Sequence, residues 1–162
     1  MGIRVLVTGG TFDKEYNEIT GELFFRHTHL NEMLSLGRCR VPIKVTTVMM
    51  VDSLTMSDED RATIAQNCVK AKEKRILITH GTDTMTRTAA AIAKTVKDKT
   101  IVLTGAMVPY TFGSSDGLFN LGSALAYVQL LGKGVYVVMD GRCFEWNKVR
   151  KNPKSGIFEE IE

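Results

Sequence analysis

Five short apolar runs, each separated from the next by a segment of helical spacing, constrain this 162-residue chain more than any other feature. Ile3 to Val7, Ile43 to Val51, Arg75 to Thr79, Thr100 to Thr104 and Val135 to Met139 read as strands rich in β-branched residues. Their apolar runs are continuous rather than alternating, which suits strands buried on both faces. Between them, Leu30, Met33, Leu34 and Leu36 have helical spacing and stop at Gly37. Ser57 caps a second helix running to about Lys72, with Asp58, Glu59 and Asp60 at the positive end of its dipole. Thr84 opens an alanine-rich helix through Val96, and a largely apolar helix covers 117–131 before Gly132-Lys133-Gly134 breaks it. Residues 8 to about 27 read as polar loop with a hairpin around Thr20-Gly21. The stretch 105–116 reads as a Gly/Pro/Ser-rich loop, and 140–162 as an irregular tail with one short strand. This alternation predicts an α/β, flavodoxin-like three-layer sandwich. A mainly parallel five-stranded sheet of order 2-1-3-4-5 would carry helices on both faces. In such sheets ligands bind beyond the carboxyl ends of the strands, where the order reverses. Here that point lies between the first and third strands.

The length suits one domain, and no internal repeat or linker is visible. Twenty-one basic against eighteen acidic residues leave a formal charge of +3, too mild to imply nucleic acid. The basic residues are scattered apart from Lys148, Arg150, Lys151 and Lys154. No apolar run reaches the roughly 20 residues that span a bilayer, and the N-terminus enters a core-type strand without signal-peptide features. Cys39, Cys68 and Cys143 are odd in number and lack CxxC spacing. The expectation is a cytoplasmic protein with reduced thiols, no metal, no cofactor, and neither a nucleic-acid nor a membrane partner.

Two of the predicted strands end in glycine and hydroxyls: Thr8-Gly9-Gly10-Thr11 and Thr79-His80-Gly81-Thr82-Asp83-Thr84. The first lacks the third glycine and following helix of a dinucleotide loop, and it lacks the Gly-Lys-Ser/Thr of a P-loop. A tight turn presenting Thr11 and backbone N–H groups, or an ordinary βα turn, remain open. In the second, Thr84 could cap the next helix, but Thr79, Thr82 and Asp83 are a dense polar group beside a buried strand. A threonine hydroxyl needs a base to become a nucleophile, and a lysine can serve; Lys148 and Lys151 are available in the tail. His80 admits both a structural and a catalytic reading.

These turns, with Asp52-Ser53-Leu54-Thr55-Met56, Thr104-Gly105-Ala106-Met107-Val108-Pro109 and Ser115-Asp116-Gly117-Leu118-Phe119-Asn120-Leu121, resemble the bacterial-type L-asparaginases in the same order along essentially the whole chain. The resemblance implies the N-terminal catalytic domain of an amidohydrolase that converts L-asparagine to L-aspartate and ammonia. It implies Thr11 as nucleophile of an acyl-enzyme, Tyr16 as the lid tyrosine assisting it, and Thr82, Asp83 and a lysine as the proton-handling group. The family's Asn-x-x-x-Lys spacing selects Lys151 through Asn147, with Lys148 as the other candidate. Gly10, Asp52, Ser53, Gly81, Thr82, Asp83 and Ala106 are implied at the substrate, and a homo-oligomer, dimer or tetramer, is implied as the assembly.

Three departures follow from the same resemblance. Residues 1–162 would form a single domain, a short form of the family without the second domain that helps grip the substrate's amino group. Asp52, Glu15 and Glu18 are then candidates to replace that grip. Tyr16 lies nearer Thr11 than in long members, and Leu54 replaces a polar residue. Two other functions share these residues: a non-catalytic aspartate/asparagine-binding module, and the ammonia-generating component of an amidotransferase.

Overall fold

A computed structural model of the chain describes residues 2–162. Strands β1 (Ile3–Val7), β4 (Ile43–Thr47), β5 (Arg75–Thr79), β6 (Thr100–Thr104) and β7 (Gly134–Met139) lie parallel in the order β4-β1-β5-β6-β7. This is the expected 2-1-3-4-5 sequence of parallel strands. A sixth strand, β8 (Arg142–Glu145), joins the edge antiparallel to β7. Its turn is Asp140-Gly141, with φ of 57° and 75°, the pair of positive values a tight two-residue hairpin needs.

Side chains alternate across the sheet and divide the core in two. Leu6, Ile78, Leu103 and Val137 stand in one register row. They pack with Ile64, Met85, Ala89 and Ile92 of helices α2 (Asp58–Lys70) and α3 (Met85–Thr95). Val5, Leu77 and Val102 face the other way, against Leu30 and Met33 of α1 (Leu30–Leu36) and Leu121, Ala124 and Val128 of α4 (Gly117–Leu130). The Ser57 cap is present: its side chain accepts from the Asp60 N–H, and the Asp60 carboxylate accepts from the Ser57 N–H.

The loops are more ordered than their composition predicts. Lys14–Tyr16 (β2) and Leu23–Phe25 (β3) form a hairpin after a 3-10 turn at Thr11–Asp13. Its own turn has Gly21 at φ 74°, where the sequence placed it. The second predicted strand is shorter than expected. Residues 48–51 leave the sheet and fold over the end of β1, with Val48 N–H on Val7 O at 2.8 Å and Val51 N–H on Thr8 O at 3.0 Å. The tail, read as irregular, holds a second hairpin of β9 (Val149–Lys151) and β10 (Phe158–Glu160). Val149 and Phe158 are buried with Phe144 in the α2/α3 core. That anchorage explains why a short polar segment takes a fixed place.

Among the described residues, no helix is long and apolar enough to cross a membrane. All three cysteines are free. Burial pushes the Cys68 thiol up to about 12 and also raises Cys143, which makes both poor nucleophiles.

Phe158 is fully buried, so Phe158→Ala leaves a cavity and releases the β9–β10 hairpin. Chemical denaturation should show a loss of about 3–5 kcal/mol. An unchanged midpoint would mean the hairpin is not anchored this way.

Candidate active site

Parallel pairing in register brings the carboxyl ends of β1, β5 and β6 to one edge: Val7 lies opposite Thr79, and Thr79 opposite Thr104. The following turns continue the contact. Thr79 O accepts from both the N–H (3.1 Å) and the hydroxyl (2.7 Å) of Thr8, and Thr104 O accepts from the His80 N–H at 2.9 Å. Two glycines let the turns nest. A Cβ on Gly10, which has φ 83°, would sit 2.3 Å from the Gly81 nitrogen. A Cβ on Gly81 would sit 2.6 Å from both Cβ and Oγ of Ser53. No side chain fits in either contact. Thr11, the Thr82-Asp83 pair and Ser53 are thereby gathered from three segments far apart in sequence.

The tail hairpin supplies the cation. Lys151 Nζ donates to Thr82 Oγ1 at 2.7 Å and to Asp83 Oδ1 at 2.9 Å. Val149 and Lys151 are two apart on β9, so the buried Val149 turns Lys151 inward while Arg150 pairs outward with Glu159. Lys148 is exposed and pairs with Glu145 instead. Thr82 is buried, whereas Asp83 is exposed beside it. Thr11 is part-exposed, and among the described residues no group hydrogen-bonds its hydroxyl.

Ala106 is buried at the third turn, held from behind. The Asp116 carboxylate accepts from the N–H groups of Met107 (2.9 Å) and Val108 (3.0 Å). Asn120 Nδ2 donates to Gly105 O at 2.9 Å and to Asp116 at 3.1 Å. The sequence marked Asp116 and Asn120 as part of a pattern but gave them no task; their task here is to fix the 105–108 backbone.

Of the acids considered as a substitute grip, Asp52 is already engaged. Its Oδ1 accepts from the Leu54 N–H at 2.9 Å and its Oδ2 pairs with Lys14. Burial alone would raise the Asp52 carboxyl, but the Lys14 and Leu54 hydrogen bonds prevail and hold it below the usual carboxylate range. Glu15 points to the opposite side of β2, toward His29 and Arg26. Glu18 is exposed on the hairpin turn. Tyr16 is 56% exposed, with its hydroxyl over Gly21. Lys14 was not legible as a site neighbour, because its partner lies 38 residues away.

His80 is fully buried, and both ring nitrogens are used. Nδ1 lies 2.7 Å from Gly81 O and Nε2 lies 2.7 Å from the Thr88 hydroxyl. A carbonyl oxygen only accepts, so Nδ1 carries the proton and Nε2 accepts from Thr88. Burial, with a contribution from the Arg61 charge and against the Gly81 hydrogen bond, takes the ring down to about 4. The histidine braces the turn. No three His, Cys, Asp or Glu side chains among the described residues are grouped as a metal site requires. A cleft of about 500 Å³ lies between α2 and α3, with Ala62, Ala65, Ala90 and Ala91 in its lining. Its polar lining, with Asp58, Arg61, Arg87, Lys94 and Thr95, lies on the two helices and includes no residue of the strand-end turns.

The model of the family "Asparaginase, N-terminal" matches residues 2–158. The chain is 29% identical over 162 residues to an L-asparaginase of Thermococcus kodakarensis, covering 97% of this chain and 49% of that protein. It is 39% identical over 121 residues to L-asparaginase 2 of Escherichia coli, covering 71% of this chain and 35% of that protein. The solved thermostable L-asparaginase from Thermococcus kodakarensis superposes with a TM-score of 0.87 at 30% identity, over 99% of this chain and 51% of that one. The chain thus spans about half or less of the length of the relatives it matches.

The buried His80 makes a prediction for stability. Its folded value of about 4 lies below the unfolded 6.5, so its contribution is full above pH 6.5 and is lost as pH falls toward 4, by roughly 3 kcal/mol. Asp13, whose carboxyl burial raises above 3.8, acts in the opposite sense near the bottom of that window. Urea unfolding of wild type should therefore weaken from pH 7 to 4, and the difference from His80→Gln should shrink over the same range. A pH-independent difference would contradict a neutral, buried ring.

Proposed function

Because the chain belongs to the asparaginase family, we propose that it hydrolyses L-asparagine to L-aspartate and ammonia, with a threonine nucleophile. The supporting observation is the contact of Lys151 Nζ with Thr82 Oγ1 at 2.7 Å and Asp83 Oδ1 at 2.9 Å, on a turn whose Gly81 nests against Gly10, the residue before Thr11. Neither lysine nor threonine is reactive alone at neutral pH, and proximity is what gives each a use.

In this reading Thr11 Oγ1 attacks the side-chain amide carbon. Its proton passes to the departing nitrogen, the carbon–nitrogen bond breaks, and ammonia leaves an aspartyl ester on Thr11. Water then adds to the ester carbon, the ester oxygen recovers a proton, and L-aspartate is released. Thr82, Lys151 and Asp83 carry protons between water, nucleophile and leaving group. Tyr16 assists at Thr11 when its exposed side chain turns inward from Gly21. Backbone N–H groups of the Gly10 and Gly81 turns face the developing oxyanion; removing one such donor costs about two to three orders of magnitude in rate. Ser53 and Asp83 hold the α-carboxylate and α-amino groups, and Ala106 offers backbone beside the amide. Asp52 serves the substrate through the turn it braces. The homo-oligomer belongs to the same proposal and rests on the family alone, while the cytoplasmic setting rests on the three unpaired cysteines.

Ammonia release from L-asparagine should fall at least about a hundredfold in Thr11→Ala, Thr82→Val and Lys151→Met, and stay near wild type in Lys148→Met. Equal activity in purified wild type and Thr11→Ala would sink the threonine mechanism. Saturable aspartate binding without any ammonia release would point to the binding module. Release only in the presence of a co-purifying partner and tRNA would point to the amidotransferase component.

A further inference from the structure

Arg61, in the first turns of α2, is only 4% exposed, although an arginine is costly to bury. Its contacts run toward the site. Nη1 donates to Met56 O at 3.1 Å and reaches Asp58 at 3.4 Å, and Nη2 donates to Thr84 Oγ1 at 3.0 Å. A guanidinium has no acceptor, so Thr84 must accept from it and spend its single hydrogen elsewhere. That hydrogen goes to Ser53 O at 2.8 Å. The other end of the same peptide plane, the Leu54 N–H, is held by Asp52 Oδ1 at 2.9 Å. The Ser53–Leu54 peptide is thus pinned at both ends, while the Ser53 side chain lies against Gly81.

We propose that Arg61 is a positioning residue for Ser53, acting through Thr84, and that its buried charge favours substrates with a free α-carboxylate at that serine. The proposal rests on the asparaginase reading for its substrate. Two observations carry it beyond a merely structural arginine. The chain of hydrogen bonds is directional, from Nη2 through Thr84 to the Ser53 carbonyl, and ends at the turn that binds. The charge is also poorly neutralised: its carboxylate neighbour Asp58 is 94% exposed, so water screens that acid more than the arginine. The same charge is felt at His80, where it helps hold the ring neutral. A positive charge in low dielectric behind Ser53 attracts an anion and does little for a neutral group.

The test uses Arg61→Met, Thr84→Val and Thr84→Ser of the full chain. For L-asparagine, Arg61→Met should raise KM about tenfold, the scale of one buried orienting hydrogen bond, with kcat within about threefold of wild type. For L-asparagine α-amide, which lacks the carboxylate, kcat/KM should change by less than about threefold. Thr84→Ser should match wild type. An equal loss on both substrates would overturn the charge argument. An unchanged KM in a folded Arg61→Met would overturn the positioning role. Amide hydrogen exchange of the 52–56 segment decides the positioning independently of activity. It should quicken about tenfold in Thr84→Val and Arg61→Met while α3 stays protected; unchanged exchange refutes the linkage. If wild type releases no ammonia from any amide, the asparaginase reading and its carboxylate preference fail together, and hydrogen exchange still decides whether Arg61 holds the Ser53 turn. Should Arg61→Met not fold, Thr84→Val against Thr84→Ser carries the comparison.

Discussion

The place where the turn after β1 meets the turn after β5 has no room for a side chain on either partner. Gly10 lies against the Gly81 backbone, and Gly81 lies against Ser53. These are hard contacts, and they set the separations among Thr11, Thr82 and Ser53 more tightly than hydrogen bonds can. The sheet beneath supplies alignment, since parallel pairing in register ends β1, β5 and β6 level with one another. The polar groups of the site are then placed by backbone, on three segments that cannot move independently.

What the backbone does not place is charge, and each charge arrives on a separate support. Lys151 rides on the tail hairpin, whose hold on the protein is apolar, through Val149 and Phe158. Lys14 arrives on the β2–β3 hairpin and neutralises Asp52. Asp116 faces two amides of the 105–108 turn and fixes the backbone beside Ala106. These charges are satisfied by one another or by backbone, whereas the Thr11 hydroxyl takes no part in that network among the described residues, and the proposed nucleophile is left free.

Much of this is legible in the sequence, and the remainder is illegible for identifiable reasons. Strand and helix alternation predicts the parallel order, and glycine-hydroxyl turns at two strand ends mark the edge where chemistry gathers. The family spacing selects Lys151 over Lys148, but the physical reason, inward and outward alternation along β9, cannot be counted before 149–151 is known to be a strand. Asp140-Gly141 is a strong hairpin signal; reading the tail as irregular passes over it, and β8 is lost with it. Lys14 with Asp52 and Arg61 with Thr84 are pairings across 38 and 23 residues. Such contacts are set by tertiary packing, and single-residue chemistry does not disclose them.

The β2–β3 hairpin is fixed at its root and bare at its tip. At the root, Asp13 accepts from the His29 N–H at 2.8 Å, Lys14 is paired, and Lys14 O accepts from Thr111 at 3.2 Å. At the tip, Ile19 is 91% exposed. Mechanically this is a cantilever, so displacement grows with distance from the clamp. Tyr16 lies partway out, two residues beyond the paired Lys14, whereas Thr11 lies behind the clamp. An arm of this kind keeps its tip apart from its root: residues at the tip can change while the turn that carries Thr11 keeps its supports.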